Sequence, residues 1–251
     1  MGTMRSMAAW SKLPSIMSVA MMPGATAFTV TPREAFIESL HQTSPPVRGG
    51  RLVVATLHGK GEAPCTLHLG GNTSKEGEMS FTFCDGAGNM LAKLAATIGA
   101  DESGAPVLWI GGLQGAKPPL GRDEIVKATR ELYGLRPKAA VMLVAQTVAR
   151  MLGLTALRAP GNEGHISQRG FRRLRSKRKI YADYGQFWEE IGGTALAAEE
   201  YRIPVEPQVR DISEVKPHKR SEWKKRQALS EQLTRETLAT LQALRLPAAT
   251  E

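Results

Sequence analysis

The chain has 251 residues, of which 42% are hydrophobic and 23% charged, a balance that excludes a largely disordered protein. Two cysteines are too few for a disulfide framework or a four-ligand zinc site, and no apolar run reaches the roughly 18 residues of a membrane span. The net charge is +9; residues 1–120 carry 9 basic and 8 acidic side chains, and the remainder carries 24 and 16. The basic second half predicts an anionic partner.

The first 48 residues are predicted to form a helical extension. Thr31-Pro32-Arg33-Glu34 has the pattern of a helix start, with a capping threonine, a proline and an acid in the first turn. Before it, the apolar stretch Ile16–Met22 is followed by Ala25-Thr26-Ala27, which has the form of a cleavage site. Two interpretations stay open, a docking helix or loose extension and a secretory signal.

Strand-like segments separated by turn residues come next. They are 52–57, 65–69, the alternating 78–84 and the alanine-rich 90–98, with Gly70-Gly71-Asn72 and Asp85–Asn89 as turns. Short strands this close together predict antiparallel hairpins. Cys65 and Cys84 fall on these strands, either as small apolar residues or as a redox pair.

The sequence pattern changes after residue 106. The pattern predicts a strand at 107–110, a glycine-rich turn at 111–115, helices from Arg122 to Tyr133 and from Arg136 to Leu152, and a strand at 154–159. Hairpins followed by a strand–helix–strand unit predict a mixed α/β fold, a mostly antiparallel sheet flanked by helices. This core is expected over 49–215, with 201–215 irregular, and a basic C-terminal helix over 216–251.

Two features around this unit indicate ligand binding. Gly111, Gly112 and Gly115 lie beside Gln114, and bare backbone N–H groups in a glycine turn can hold an oxyanion or phosphate. A tight turn without a ligand explains the same residues. Arg136 and Lys138 place positive charge at a helix N-terminus, an unfavourable position that a bound anion would relieve. The alternative is that both side chains extend into water.

A loop histidine and an aromatic–acid segment supply candidates for catalysis. His165 follows the last strand of the unit, where it is either a general base or an ordinary surface residue. Asp183 lies near Tyr184 and Trp188, which either shape a pocket around the carboxylate or start a helix that packs on the core. The other histidines lack ligand spacing, so no metal site is expected.

A run of cations suits RNA or an anionic lipid surface, although solvated helix faces have the same composition. Its members are Arg169, Arg172, Arg173, Arg175, Lys177, Arg178 and Lys179. A second basic run covers 216–226.

The order of several motifs resembles the VirK/YbjX family, bacterial proteins of unknown function. The motifs are Glu76-Gly77-Glu78-Met79-Ser80, Ile110–Gly115, Tyr133–Lys138, Ala182-Asp183-Tyr184, Phe187–Glu190, Gly192-Gly193 and Lys219-Arg220-Ser221 with Arg226. The resemblance implies a role in the bacterial envelope, in virulence or resistance to cationic peptides, and implies no particular reaction. The chain departs from the family pattern at Gly185 and after His165.

The layout also resembles the GNAT-type acyltransferase fold, in which two splayed strands and a helix N-terminus hold the acyl donor. On that resemblance we expect a cytoplasmic acyl- or aminoacyltransferase, or one peripheral to the inner membrane, that acts on a small amine or hydroxyl acceptor. Its donor would be coenzyme A, an acyl carrier protein or an aminoacyl-tRNA, with no permanently bound cofactor. His165, Glu78 and Asp183 are the expected catalytic residues, and Tyr184 and Trp188 join the donor site. The alternative is a basic adaptor that binds RNA or an anionic membrane.

Overall fold

A computed structural model describes residues 51–72, 76–161, 184–197 and 200–243. Its strands are β1 (Arg51–Leu57), β2 (Cys65–Gly71), β3 (Met79–Cys84), β4 (Met90–Ala100), β5 (Pro106–Gly115), β6 (Ala156–Pro160), β7 (Thr194–Ala197) and β8 (Glu200–Ile203). Its α-helices are α1 (Arg122–Glu131), α2 (Pro137–Met151), α3 (Tyr184–Glu190) and α4 (Arg220–Ala243). The eight strands form one sheet in the order β1-β2-β3-β4-β5-β6-β8-β7. The predicted mixed α/β class with a mostly antiparallel sheet is confirmed.

The first five strands form a meander of antiparallel neighbours, as the turn residues between them predict. Phe81 and Phe83 of β3 are fully buried beside Leu69 and Leu67 of β2, their respective register partners. Alternation along β3 therefore places its large aromatic side chains on one face, and that face is the core. The alanine-rich strand β4 extends two residues beyond its predicted end.

Strands β5 and β6 are parallel, and the crossover between them contains α1 and α2. They pair only through Val107–Trp109 and Ala156–Arg158. Beyond these residues β5 continues along β4 to Gly115, whereas β6 ends at Pro160. The two neighbours thus share a short pairing and leave a fork at their carboxyl ends.

Helix α2 crosses the core and begins at the fork. Pro137 occupies its first position, where a missing N–H costs nothing, and ten of its 15 residues are buried. Val141, Val144 and Val148 are among them, spaced to form one apolar face. The fit of this face on β3, β4 and β5 fixes where the helix N-terminus lies.

The C-terminal helix α4 packs on α2 and along β1 through Leu229, Leu233 and Leu241. Its polar side chains also bond the outer edge of β1: Thr56 N–H donates to Glu236 (2.8 Å), and Gln232 donates to the Thr56 carbonyl (3.1 Å). Helix α4 therefore shares the core of the sheet, and two of its side chains replace a strand at this edge. The proposed boundaries at 49 and 216 stay predictions.

Two expectations about the chain path were wrong. The segment 201–215 is not irregular from its start, because Tyr201–Ile203 belongs to β8, which pairs with β6 and β7. Residues 111–115 are not a turn but the second half of β5. The predicted helix near Thr31 lies outside the described residues. Within the described ranges, no helix combines the length and the apolar character needed to cross a membrane.

Candidate functional site

The glycines of β5 do not form a cradle of free N–H groups, which corrects the sequence-based expectation. Gly112 and Gly115 are in register with Ala95 and Ala92 of β4, so this stretch is one partner of an antiparallel ladder. The pairing shifts between Ala95 and Ala96, at a bulge next to Gly111.

A close approach by residue 76 explains two of these glycines. A Cβ on Gly111 would lie 1.8 Å from the Glu76 carbonyl oxygen, and one on Gly112 would lie 2.9 Å from a Glu76 carboxylate oxygen. A side chain at 111 is therefore excluded by backbone. Gly115 is different, because the nearest atoms to a Cβ there are Ile125 Cδ1 at 3.8 Å and Lys138 Cε at 3.9 Å.

Glu76 supplies a carboxylate at this strand, and the catalytic role expected of Glu78 stays a prediction. Gln114 Nε2 donates to Glu76 Oε2 at 2.8 Å. The Glu78 backbone is fixed at the start of β3, with its N–H donating to the Ala96 carbonyl at 3.0 Å. The Gln114 amide, which was expected to orient a ligand, thus bonds to the Glu76 carboxylate. From the sequence, Glu76 was placed only within a family motif.

A row of polar residues crosses the sheet beside this pair. His68, Thr82, Lys93 and Gln114 are successive register partners on β2, β3, β4 and β5, so their side chains share one face. Lys93 donates to Asn72 Oδ1 at 2.9 Å. Burial lowers the pKa of Lys93, as does the charge of Arg51, while Glu76 opposes the change. In a strand, side chains alternate between the two faces of the sheet, so the polar residues between the buried hydrophobic ones could have revealed this row from the sequence.

Tyr184 and Trp188 of α3 close the fork between β5 and β6. The Tyr184 hydroxyl donates to the Leu113 carbonyl at 2.9 Å, and Trp188 Nε1 donates to the Pro160 carbonyl at 3.0 Å. Both side chains are buried, and their rings stack with centroids 6.1 Å apart. The interpretation of this segment as a helix that packs aromatics on the core is confirmed.

Arg136 and Lys138 lie at the N-terminus of α2, where the sequence predicted them. Arg136 is the N-cap residue; its guanidinium pairs with Glu190 at 2.5 Å and lies 5.7 Å from the Phe187 ring centroid. It thus has a protein carboxylate as partner. The first turn of α2 contains no acid, and the Arg136 side chain makes no capping hydrogen bond to its backbone N–H groups.

Lys138 is the more enclosed of the two cations. Its Nζ lies 5.5 Å from the Tyr184 ring centroid, and its side chain borders a cavity of about 100 Å³ together with Gly115 and Phe187. Burial lowers the pKa of Lys138, and the nearby charge of Arg136 lowers it further. An anion in this cavity would face a cation, a helix N-terminus and an aromatic wall.

Several predicted site residues lie outside the described residues. These are His165, Asp183, Arg169, Arg172, Arg173, Arg175, Lys177, Arg178 and Lys179. Their assigned roles stay predictions.

The cysteines are buried, unbonded residues of β2 and β3. Burial raises the pKa of Cys65 to about 11, with smaller contributions from Glu131 and Asp85. A protonated, enclosed thiol is a poor nucleophile, which favours the interpretation of these residues as small apolar strand residues.

Comparison with known proteins gives a family but no reaction. A family model described as "Protein of unknown function (DUF535)" matches residues 37–239. "Uncharacterized protein YbjX" of Escherichia coli (strain K12) is 37% identical over 177 residues, which cover 70% of this chain and 53% of that protein. The chain therefore spans about half the length of this curated relative. With both matches in agreement, the chain belongs to the DUF535 family, the bacterial VirK/YbjX proteins.

Proposed function

We propose that the protein is a transferase that moves an acyl or aminoacyl group from a thioester or an aminoacyl-tRNA to an amine or hydroxyl. The observation that carries this proposal is the fork of β5 and β6, which faces the N-terminus of α2. In GNAT-type acyltransferases a pair of splayed strands and a helix N-terminus bind the donor, and this resemblance supports the assignment.

The donor phosphate would bind at the start of α2. Lys138 is half-buried there without an acid in the first turn of its own helix, so a phosphate would supply the missing negative charge. The acyl arm would extend past Tyr184 and Phe187. The hydrogen bond between Gln114 and Glu76 would hold the end of β5 against the segment before β3, and so would fix the β5 side of the donor site.

His165 is the proposed general base for the attacking amine or hydroxyl, with Asp183 and Glu78 as the other predicted catalytic residues. These roles rest on the sequence. Removal of a general base slows turnover by about 10²- to 10⁴-fold without a comparable change in donor affinity.

The test is a transfer assay with labelled acyl-coenzyme A, acyl carrier protein and aminoacyl-tRNA as donors and a panel of amines and hydroxyls as acceptors. Lys138→Met should raise the KM for the donor about tenfold with little change in kcat, as expected for lost ground-state binding. Lys127→Met, on the exposed face of α1, is the matched control. If His165→Ala left turnover unchanged, His165 would not be the general base. If no donor class supported transfer, the transferase proposal would be refuted.

A second proposal, a basic adaptor for RNA or an anionic membrane, is favoured by one observation. Exposed cations crowd the start of α4 and the turn before it: Lys216, Lys219, Arg220, Lys224 and Lys225. An adaptor would lose affinity steeply between low and physiological salt, because binding releases counterions. Reversal of these charges should abolish such binding while a transferase would retain its donor site.

A further inference from the structure

A groove runs along α2 and α4, on the other side of Arg136 from the fork. Its volume is about 1290 Å³, above the roughly 300–1,000 Å³ of a common small-molecule pocket. Its third wall is the segment 206–210. Gln146 donates to the Pro204 carbonyl at 2.9 Å, and Arg150 pairs with Glu206 at 2.9 Å, so this wall is anchored to α2.

Aliphatic side chains line much of this α2–α4 groove. Those on α2 and α4 are Ala139, Met142, Leu143, Leu238 and Ala239, and Leu135 lies just before α2. Val209 on the third wall is 62% exposed, so its apolar surface is open to a ligand in the groove. A ligand with an extended apolar part would bury this surface.

Positive charge exceeds negative charge in the groove. Six basic residues line it, Arg136, Arg150, Arg210, Lys224, Arg226 and Arg235, against the three acids Glu190, Glu206 and Glu231. The pKa of Arg226 lies below its ordinary value because of burial and because of the like charges of Arg210 and Arg136. Arg136, Arg210 and Arg226 all line the groove, and Arg226 Nη1 would lie 3.5 Å from a Cβ on Gly134, two residues before Arg136. Arg136 also pairs with Glu190, and a bound anion would offset the remaining positive charge.

Two buried hydrogen-bond donors at the groove have no acceptor among the described residues. They are Nε of Arg150 and Nε1 of Trp223. A buried donor without a partner costs on the order of 1–3 kcal/mol. Both residues line the same groove as the guanidinium cluster, an observation independent of the charge.

The lining favours an acyl chain over a nucleic acid. Proteins bind single-stranded nucleic acid by stacking bases on several aromatic side chains. Trp223 is the sole aromatic residue among the described residues that line the groove. Aliphatic surface beside clustered guanidinium groups matches a molecule with a hydrocarbon tail and an anionic head.

We infer that the α2–α4 groove binds a lipid with a phosphate headgroup. The phosphate contacts the cluster of Arg136, Arg210 and Arg226, and the acyl chain lies along the aliphatic surface of α2 and α4. This groove shares Arg136 with the cavity at Lys138 but is otherwise lined by other residues, and the inference does not depend on the transferase proposal.

The test is calorimetric titration of the full chain with oleoyl lysophosphatidic acid below its micelle-forming concentration. Oleoyl lysophosphatidylcholine carries the same tail with its charge cancelled by choline and should bind at least about tenfold more weakly. Glycerol 3-phosphate, which has the head without the tail, should not compete at equal concentration. Equal affinity for the two lipids, or tight binding of glycerol 3-phosphate, would overturn the inference.

Variants locate the binding. Arg210→Gln combined with Arg226→Gln should weaken lysophosphatidic acid binding about 100-fold, whereas the control Lys127→Gln should leave it unchanged. Ala239→Trp replaces an exposed residue, so it should preserve the fold and occlude the apolar surface. Lipid binding unaffected by Ala239→Trp would refute the site, as would preferential binding of an acidic amphipathic peptide or formation of a dimer that Ala239→Trp dissociates.

Discussion

Tyr184 and Trp188, one helical turn apart, donate hydrogen bonds to carbonyls of two different strands, Leu113 of β5 and Pro160 of β6. They do so beyond the last backbone pairing of these strands, Trp109 with Arg158. Helix α3 therefore links the two strands where they no longer bond to each other. Phe187 of the same helix lines the cavity proposed for the donor.

Loss of the Tyr184 hydroxyl should reveal the strength of this link. Tyr184→Phe keeps the ring but leaves the Leu113 carbonyl without its donor, so the free energy of unfolding should fall by about 1 kcal/mol. Urea denaturation measures the change. Tyr201→Phe is the control, since its hydroxyl is an exposed group 3.5 Å from Glu189, and it should change stability by less than about 0.5 kcal/mol. Equal effects of the two substitutions would contradict a specific role for Tyr184.

The same hydroxyl predicts a change in stability at alkaline pH. Burial raises the pKa of Tyr184 above its ordinary value of 10.0, and the charge of Glu76 raises it further. Above pH 10 the unfolded chain loses this proton before the folded chain does, so the contribution of Tyr184 to stability declines as the pH rises. Urea unfolding of the wild type and Tyr184→Phe from about pH 8 to about pH 11 isolates this contribution. The two curves should converge at high pH, and parallel curves would contradict the prediction.

Alanine substitutions should separate two glycines of one strand. Gly111→Ala places a methyl group against the Glu76 carbonyl and should cost about 1–3 kcal/mol, the range for overpacked sites. Gly115→Ala meets only ordinary contacts and should be nearly neutral. Thermal unfolding distinguishes the two. Similar melting temperatures would show that residue 76 moves aside freely.

Arg158 predicts a different kind of destabilisation. It is buried, bonds Glu200 and Glu102, and lies 5.4 Å from the Trp109 ring centroid. Arg158→Met should cost about 3–5 kcal/mol because Glu200 keeps a largely buried carboxylate without its cation. Arg158→Met combined with Glu200→Gln should recover part of that loss. A double variant as unstable as the single one would assign the effect to packing alone.

Much of the fold follows from local patterns. Alternation with turn residues predicts β1 to β3, and Pro137 with an apolar helical face predicts α2. The β7–β8 hairpin was missed because its residues are mostly small or charged, and its stability comes from pairing with β6. Such pairing is a tertiary effect that local propensity does not contain.

The site was predicted less completely, for a related reason. Glycines after a short apolar run are typical of a turn, whereas Gly111 exists because the carbonyl of residue 76, distant in sequence, lies against it. The partner of Gln114 is also Glu76. Contacts between residues more than 30 positions apart leave no local signal in the sequence. The charges at Arg136 and Lys138 could be placed from the sequence because a helix start is recognisable there.

The bonds that Gln232 and Glu236 make to Thr56 cover part of an outer strand, which bears on aggregation in a crowded solution. An uncovered outer strand is a template for another chain, and it is the usual starting point of edge-to-edge aggregation. Here the N–H and carbonyl of Thr56 are occupied by side chains of α4, which cannot themselves extend a sheet. At Thr56 the C-terminal helix thus blocks pairing with another strand, and its detachment would free these two backbone groups.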